Sequence, residues 1–240
     1  ALAIVAVLFL VQQFGTSTIG TSFGPIMMVW FIMLAILGFV QLVQLPVVLK
    51  AFNPWYAVHL LYHYPHGFLL LGAVFLCTTG AEALYSDLGH CGIANIRISW
   101  IFVKISLIIN YLGQGAWILM QNKEGIALPN PFFASMPLWF LPIGVMIATL
   151  AAVIASQALI SGSYTIISEA IQLNFWPKLR ISYPTTRKGQ MYISSINWLL
   201  FVAVVIVILM FQTSSNMEAA YGLAITITML MTTSLMVFYL

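Results

Sequence analysis

The feature that most constrains this chain is a succession of long apolar runs with almost no charge inside them. An α-helix crosses the hydrocarbon core of a bilayer with about 20 predominantly apolar residues. By that measure the chain divides into seven segments: 1–14, 24–49, 67–90, 98–121, 138–171, 192–212 and 217–240. The first reads as the tail of a helix. Lipid offers no hydrogen bonds to a backbone, so each run satisfies its own N–H and C=O groups by forming a helix. A transmembrane barrel needs short alternating segments, and none are present. The expected fold class is therefore all-α, a polytopic helical membrane protein with residues 1–240 in a single transmembrane domain. Pro25 is expected in the first turn of the second segment, where its missing N–H is harmless.

Composition agrees. Hydrophobic residues make up 62% of the chain and charged residues 5%, against about a quarter charged in soluble domains. The net charge of +3 is thinly spread, which suggests no nucleic-acid partner and leaves charge to set topology. The stretch PKLRISYPTTRKG, 177–189, holds Lys178, Arg180, Arg187 and Lys188 and no acid. The positive-inside rule places it in the cytoplasm. Alternation then puts Arg97 on the same side, and puts loops 50–66 and 122–125 outside. Only Lys50 and Lys123 argue the other way. The start, ALAIVAVLFL, has no basic n-region and does not read as a signal peptide. Both termini read as cut through helices, so the expectation is an internal fragment of a longer membrane protein.

Three features inside the spans invite function. The first is TTGAEALYSDLGH, residues 78–90. Ionisable groups within membrane segments are costly, face the bundle interior and mark ion or proton paths. On one continuous helix Thr78, Glu82, Tyr85, Ser86 and Gly89 share a face, and Asp87, His90 and Cys91 share another nearer the cytoplasm. Glu82 is the favoured functional acid; Asp87 and His90 also suit a wetted interface. Two hydroxyls and Gly80 in mid-span suit a helix break, whose freed carbonyls replace a cation's hydration shell. Alternatively Gly80 only allows close packing.

The second feature is the fifth segment. Gly144, Ala148, Ala152 and Ser156 recur every four residues, a small-residue stripe of the kind that packs helices. Ser156, Gln157, Ser161 and Ser163 form a polar cluster that either lines a cavity or bonds neighbouring helices. Glu169 lies near the cytoplasmic end, where a solvated acid is the default. The third feature opens the last segment: Tyr221 and Thr228 share a face, with Thr232 a turn further. The phenol serves equally well as a cation ligand or as an interfacial anchor.

Other patterns read as structural. His59, His63 and His66 in WYAVHLLYHYPH stand at helical spacings, but without Cys or an acid they suggest an extracellular interfacial helix rather than metal ligation. Lys104 snorkels to the surface. Cys77 and Cys91 form neither a disulfide framework nor a metal motif.

Five stretches then carry a resemblance: FGTSTIGTSFGPIMMVWF, TTGAEALYSDLGHCGIANIRISW, NYLGQGA, IASQALISGSYT and SSNMEAAYGLAITITM. In this order, over nearly the whole chain, they resemble the Kup/HAK/KT potassium uptake permeases. The resemblance implies a five-plus-five inverted-repeat core of the amino acid–polyamine–organocation kind, with TTGAEALY as its discontinuous sixth helix. It implies that helices four to ten are present here, and that the first-helix Gly-Asp motif, the third-helix acid and the soluble C-terminal region are not. It implies potassium import coupled to protons across the cell membrane, with no cofactor and no enzymatic role, and leaves a homodimer open. Glu82 becomes the sixth-helix acid, Thr79 a potassium ligand and Tyr221 the tenth-helix tyrosine near the ion, with Asp87 in the same motif. The sequence departs from relatives at SYTIISEAIQL, before AIQL, and at Cys91, where relatives often have Phe. Two other classes were weighed from the residues. An intramembrane acid–base enzyme using Glu82, Asp87 and His90 lacks a nucleophile or metal set. A non-transporting structural or sensory subunit is separated from a transporter by potassium-dependent growth of an uptake-deficient host.

Overall fold

A computed structural model describes residues 2–14, 17–64, 67–78, 93–121, 130–183 and 191–239. They form helices α1 (Leu2–Val11), α2 (Ser17–Gln44), α3 (Pro54–His63), α4 (Gly67–Thr78), α5 (Ile93–Gln121), α6 (Pro131–Ala134), α7 (Leu141–Gln172), α8 (Ser194–Phe211) and α9 (Ser214–Tyr239). Short 3-10 turns follow α1 at Gln12–Phe14 and α2 at Pro46–Phe52. The described residues hold no strand beyond an antiparallel bridge between Ser182 and Tyr192. Among the described residues five helices are long and apolar enough to cross a bilayer: Ser22–Gln44 of α2, Asn95–Gln121 of α5, all of α7 and α8, and Asn216–Tyr239 of α9. Most of their surface faces outward, and the α9 span buries none of its residues. Side chains such as Ile36, Val43, Leu223 and Leu235 are therefore exposed. That arrangement is favourable only where lipid or further helices surround the bundle.

Several boundaries differ from the sequence expectation. The second helix begins at Ser17, not 24, so Pro25 lies well inside it rather than in its first turn. Helix-breaking residues persist in membrane helices because neighbouring groups re-satisfy the freed carbonyls. A helix is found where one was expected within loop 50–66: α3, opened by Pro54 after Asn53, whose side chain accepts the Trp55 N–H at 3.0 Å. Every residue of α3 is exposed. Gly67, the first residue of α4, packs against the end of α3: a Cβ on it would lie 3.0 Å from the Leu61 backbone.

Two contacts organise the packing. In the first, α2 crosses α5 at Gly38 and Gly113. A Cβ on Gly38 would sit 2.5 Å from Asn110 Cα, and one on Gly113 would overlap the Gly38 carbonyl. Only hydrogen at both positions permits this backbone approach, the mechanism by which small residues drive helix association in lipid. The NYLGQGA stretch thus has a structural role, and Asn110, Ala116 and Trp117 beside the crossing are buried. The second contact joins α1, α7 and α8 through buried Phe9, Ile160, Tyr164, Ile193 and Ile196.

The buried face of α7 also departs from expectation. Gly144 is buried, but against Met136 of the preceding turn. Ala148 and Ser156 are half-buried and Ala152 is exposed. The face turned inward runs through Gln157, Ile160, Tyr164 and Ser168. Steric smallness allows close approach but does not require it, and here the bulkier row supplies more contact surface.

Candidate ion site

The N-terminal half of the third predicted segment is α4, which ends at Thr78. Thr79, Gly80, Glu82, Tyr85, Ser86, Asp87, Gly89, His90 and Cys91 lie outside the described residues, as does the expected helix break. Gly72, Phe75 and Leu76 of α4 face Glu218, Ala219, Gly222 and Thr226 of α9 across an open cleft of about 380 Å³. At Gly222 an added Cβ would lie 3.4 Å from Leu76 Cδ1. The wall is apolar at α4 and carries a carboxylate and a hydroxyl at α9. Glu218 stands four residues before Gly222, on the same helix face. Sequence reasoning passed over this acid because its place in EAAYG suits a solvated helix start; its i, i+4 relation to Gly222 was the available signal.

Tyr221 is adjacent to Gly222 and 53% exposed, on a different helical face from the cleft wall. Thr228 donates its hydroxyl to the Ala224 carbonyl at 2.9 Å, and Thr226 donates to Gly222 at 2.8 Å. Ser156 donates to Ala152 at 2.9 Å and Ser163 to Leu159 at 2.9 Å. Such back-bonding satisfies the O–H donor inside the same helix. It leaves the oxygen lone pairs, the part a cation uses. Ser161 is half-buried, and its carbonyl accepts from Thr165 at 3.2 Å.

Gln157 differs from these hydroxyls. It is 6% exposed, and its Oε1 has no hydrogen-bond partner among the described residues. Gln12, in the turn after α1, is 5% exposed with its Oε1 likewise unpartnered. Buried acceptors without donors are rare and costly. Gln12 was not anticipated, since one glutamine in QQF resembles an ordinary helix end.

A polar network that sequence reasoning also missed lies about two turns from Gln157 and about one turn from Gln12 along the chain. Tyr164 donates its hydroxyl to Asn197 Oδ1 at 2.7 Å, and Asn197 Nδ2 donates to the Phe9 carbonyl at 3.2 Å. Both side chains are buried. The Phe9 carbonyl is available because α1 gives way to a 3-10 turn just beyond it. These bonds tie three helices together. Among the described residues no three His, Cys, Asp or Glu side chains come together as metal ligands.

The helices and their outward apolar surfaces define a multi-pass integral membrane protein. Among the described residues its buried and cleft-lining polar side chains are hydroxyls, amides and the Glu218 carboxylate. The chain belongs to the family described as "K+ potassium transporter integral membrane domain", which matches it over residues 1–240. It is 62% identical to a probable potassium transport system protein Kup of Cytophaga hutchinsonii and 59% identical to one of Flavobacterium johnsoniae. A probable potassium transport system protein Kup of Clostridium perfringens is 55% identical. Each alignment covers 100% of this chain and 37% of the relative, so the chain spans about a third of the length of the curated relatives it matches. No solved structure matches it.

Proposed function

We propose that this chain forms part of a potassium importer that couples uptake to protons by alternating access. The observation that carries the reading is the apposition of α4 and α9 across the Glu218 cleft. It brings the helix leading into Thr78, Thr79 and Glu82 beside the helix bearing Tyr221 and Thr228. Family membership and relatives named as potassium transport proteins support the choice of ion.

In this reading potassium enters from outside and sheds water onto Thr79, the carbonyls of residues 78–81 and the Tyr221 phenol. A membrane cation site is built from such oxygens because they replace hydration in a low-dielectric setting. Further helices of the whole protein, five plus five in inverted repeat, complete the shell. In a potassium/proton symport Glu82 either balances the charge of the bound potassium ion or carries the coupled proton that travels inward with it. Tyr85 and Asp87 continue the path towards the cytoplasm, and Ser156, Gln157, Ser161 and Thr228 line it.

The test is Glu82→Gln in the full-length protein, which keeps the side chain's shape and removes its charge. Rubidium uptake with and without a proton gradient is expected to fall at least tenfold or to lose its dependence on the gradient. Uptake at the wild-type rate, with the wild-type pH dependence, overturns the assignment.

A further inference from the structure

We infer that His59 and His63 form a bidentate surface site for a divalent transition metal that prefers imidazole nitrogen, of the copper(II), nickel(II) or zinc(II) class. In the sequence these histidines have no Cys or acid beside them, and that absence argued against a metal. The structure adds two facts that spacing alone could not supply. The rings of His59 and His63 are stacked, with centroids 3.9 Å apart and planes inclined by 11°. His63 Nδ1 also lies 3.0 Å from the His59 carbonyl oxygen.

The second fact fixes the chemistry of the ring. A backbone carbonyl only accepts, so Nδ1 of His63 carries the proton and Nε2 keeps its lone pair. Metal-binding histidines are oriented in this way, with the non-ligating nitrogen held by a carbonyl or carboxylate. The helix sets the spacing: His59 and His63 stand at i and i+4 of α3 and so share one face. Imidazole lone pairs lie in the ring planes, so the two rings unstack and turn about their side-chain bonds to converge on one ion, with nitrogens about 2.9 Å apart for two bonds of about 2.0–2.1 Å at a right angle. The ring centre of Trp55 lies 6.3 Å from that of His59. All of α3 is exposed, so water fills the remaining coordination positions. Affinity should follow the order of divalent ions at nitrogen sites, copper above nickel and copper above zinc. Potassium and magnesium, which take oxygen ligands, should not compete. The site does not depend on the transport reading.

The experiment uses the full-length protein without a polyhistidine tag, in detergent micelles. Copper(II) is followed by electron paramagnetic resonance and nickel(II) by calorimetry. The expected result is one copper(II) site with coupling to two nitrogens, and nickel(II) binding that weakens at least tenfold in His59→Gln and in His63→Gln. A wild-type spectrum without two-nitrogen coupling overturns the proposal, whatever the variants do. So does unchanged nickel(II) affinity in the double variant, provided that it elutes as the wild type does.

Discussion

Replacing Gly38 with alanine should destabilise the protein, although alanine is the better helix former. A methyl there would sit 2.5 Å from Asn110 Cα, 2.6 Å from the Ile109 carbonyl oxygen and 2.7 Å from the Asn110 nitrogen. Carbon atoms rest at about 3.5–4.0 Å. All three neighbours are backbone, so no side chain can swing aside and α2 and α5 must part by about 1 Å. Overpacking of this kind costs about 1–3 kcal/mol. Alanine in place of glycine inside a helix returns about 1 kcal/mol, leaving a net loss of up to about 2 kcal/mol, or up to about thirtyfold in the folded-to-unfolded ratio. Gly24, also within α2, has nothing within 4 Å of the same methyl among the described residues. Gly24→Ala keeps the propensity gain without the clash. The assay is thermal challenge of the full-length protein in detergent, read by size-exclusion chromatography. Gly38→Ala should lose its monodisperse peak at a lower temperature than wild type, and Gly24→Ala should match or exceed wild type. Gly113→Ala should behave like Gly38→Ala, and the double variant should lose less than the two single losses added, because once the helices part the second methyl meets little. If Gly38→Ala proves as stable as Gly24→Ala, the crossing is not set by backbone contact and the reasoning fails.

Tyr164→Phe removes the hydroxyl bonded to Asn197 and leaves Asn197 Oδ1 unpaired, for a loss of about 1 kcal/mol. Asn197→Ala also strands the Tyr164 hydroxyl and the Phe9 carbonyl and should cost more; the same thermal assay on single and double variants gives the coupling directly. Gln157→Leu separates two roles for the unpartnered amide. A purely structural burial predicts unchanged or higher stability with normal rubidium uptake, whereas a pathway role predicts unchanged stability with uptake reduced at least severalfold.

The residues proposed for the site were chosen where the physics is local. An acid in an apolar run is conspicuous, which is why Glu82, Asp87 and the Thr78–Thr79 pair stood out, although all of these but Thr78 lie outside the described residues. Tyr221 and Thr228 stood out in the same way, as polar groups at helical spacing. Glu218 was not, since its place beside α4 depends on a helix more than a hundred residues away in sequence. Asn197 was missed for the same reason: one asparagine near a helix start resembles a capping residue until Tyr164 and Phe9 are seen around it.

The sequence by itself determined that this chain is a set of membrane helices, because run length and missing charge answer to bilayer thickness alone. It did not determine which face of each helix meets its neighbours. In a soluble helix the apolar stripe marks the buried side, but lipid is as apolar as a protein core, so these helices are hydrophobic all round. The regular stripe Gly144, Ala148, Ala152 and Ser156 therefore pointed to one face of α7, while packing chose Gln157, Ile160, Tyr164 and Ser168. The tertiary structure decided that choice, the Gly38–Gly113 crossing and the Phe9–Asn197–Tyr164 tie. Each is a steric or hydrogen-bond match between segments far apart in the chain, and no single segment carries a record of its partner.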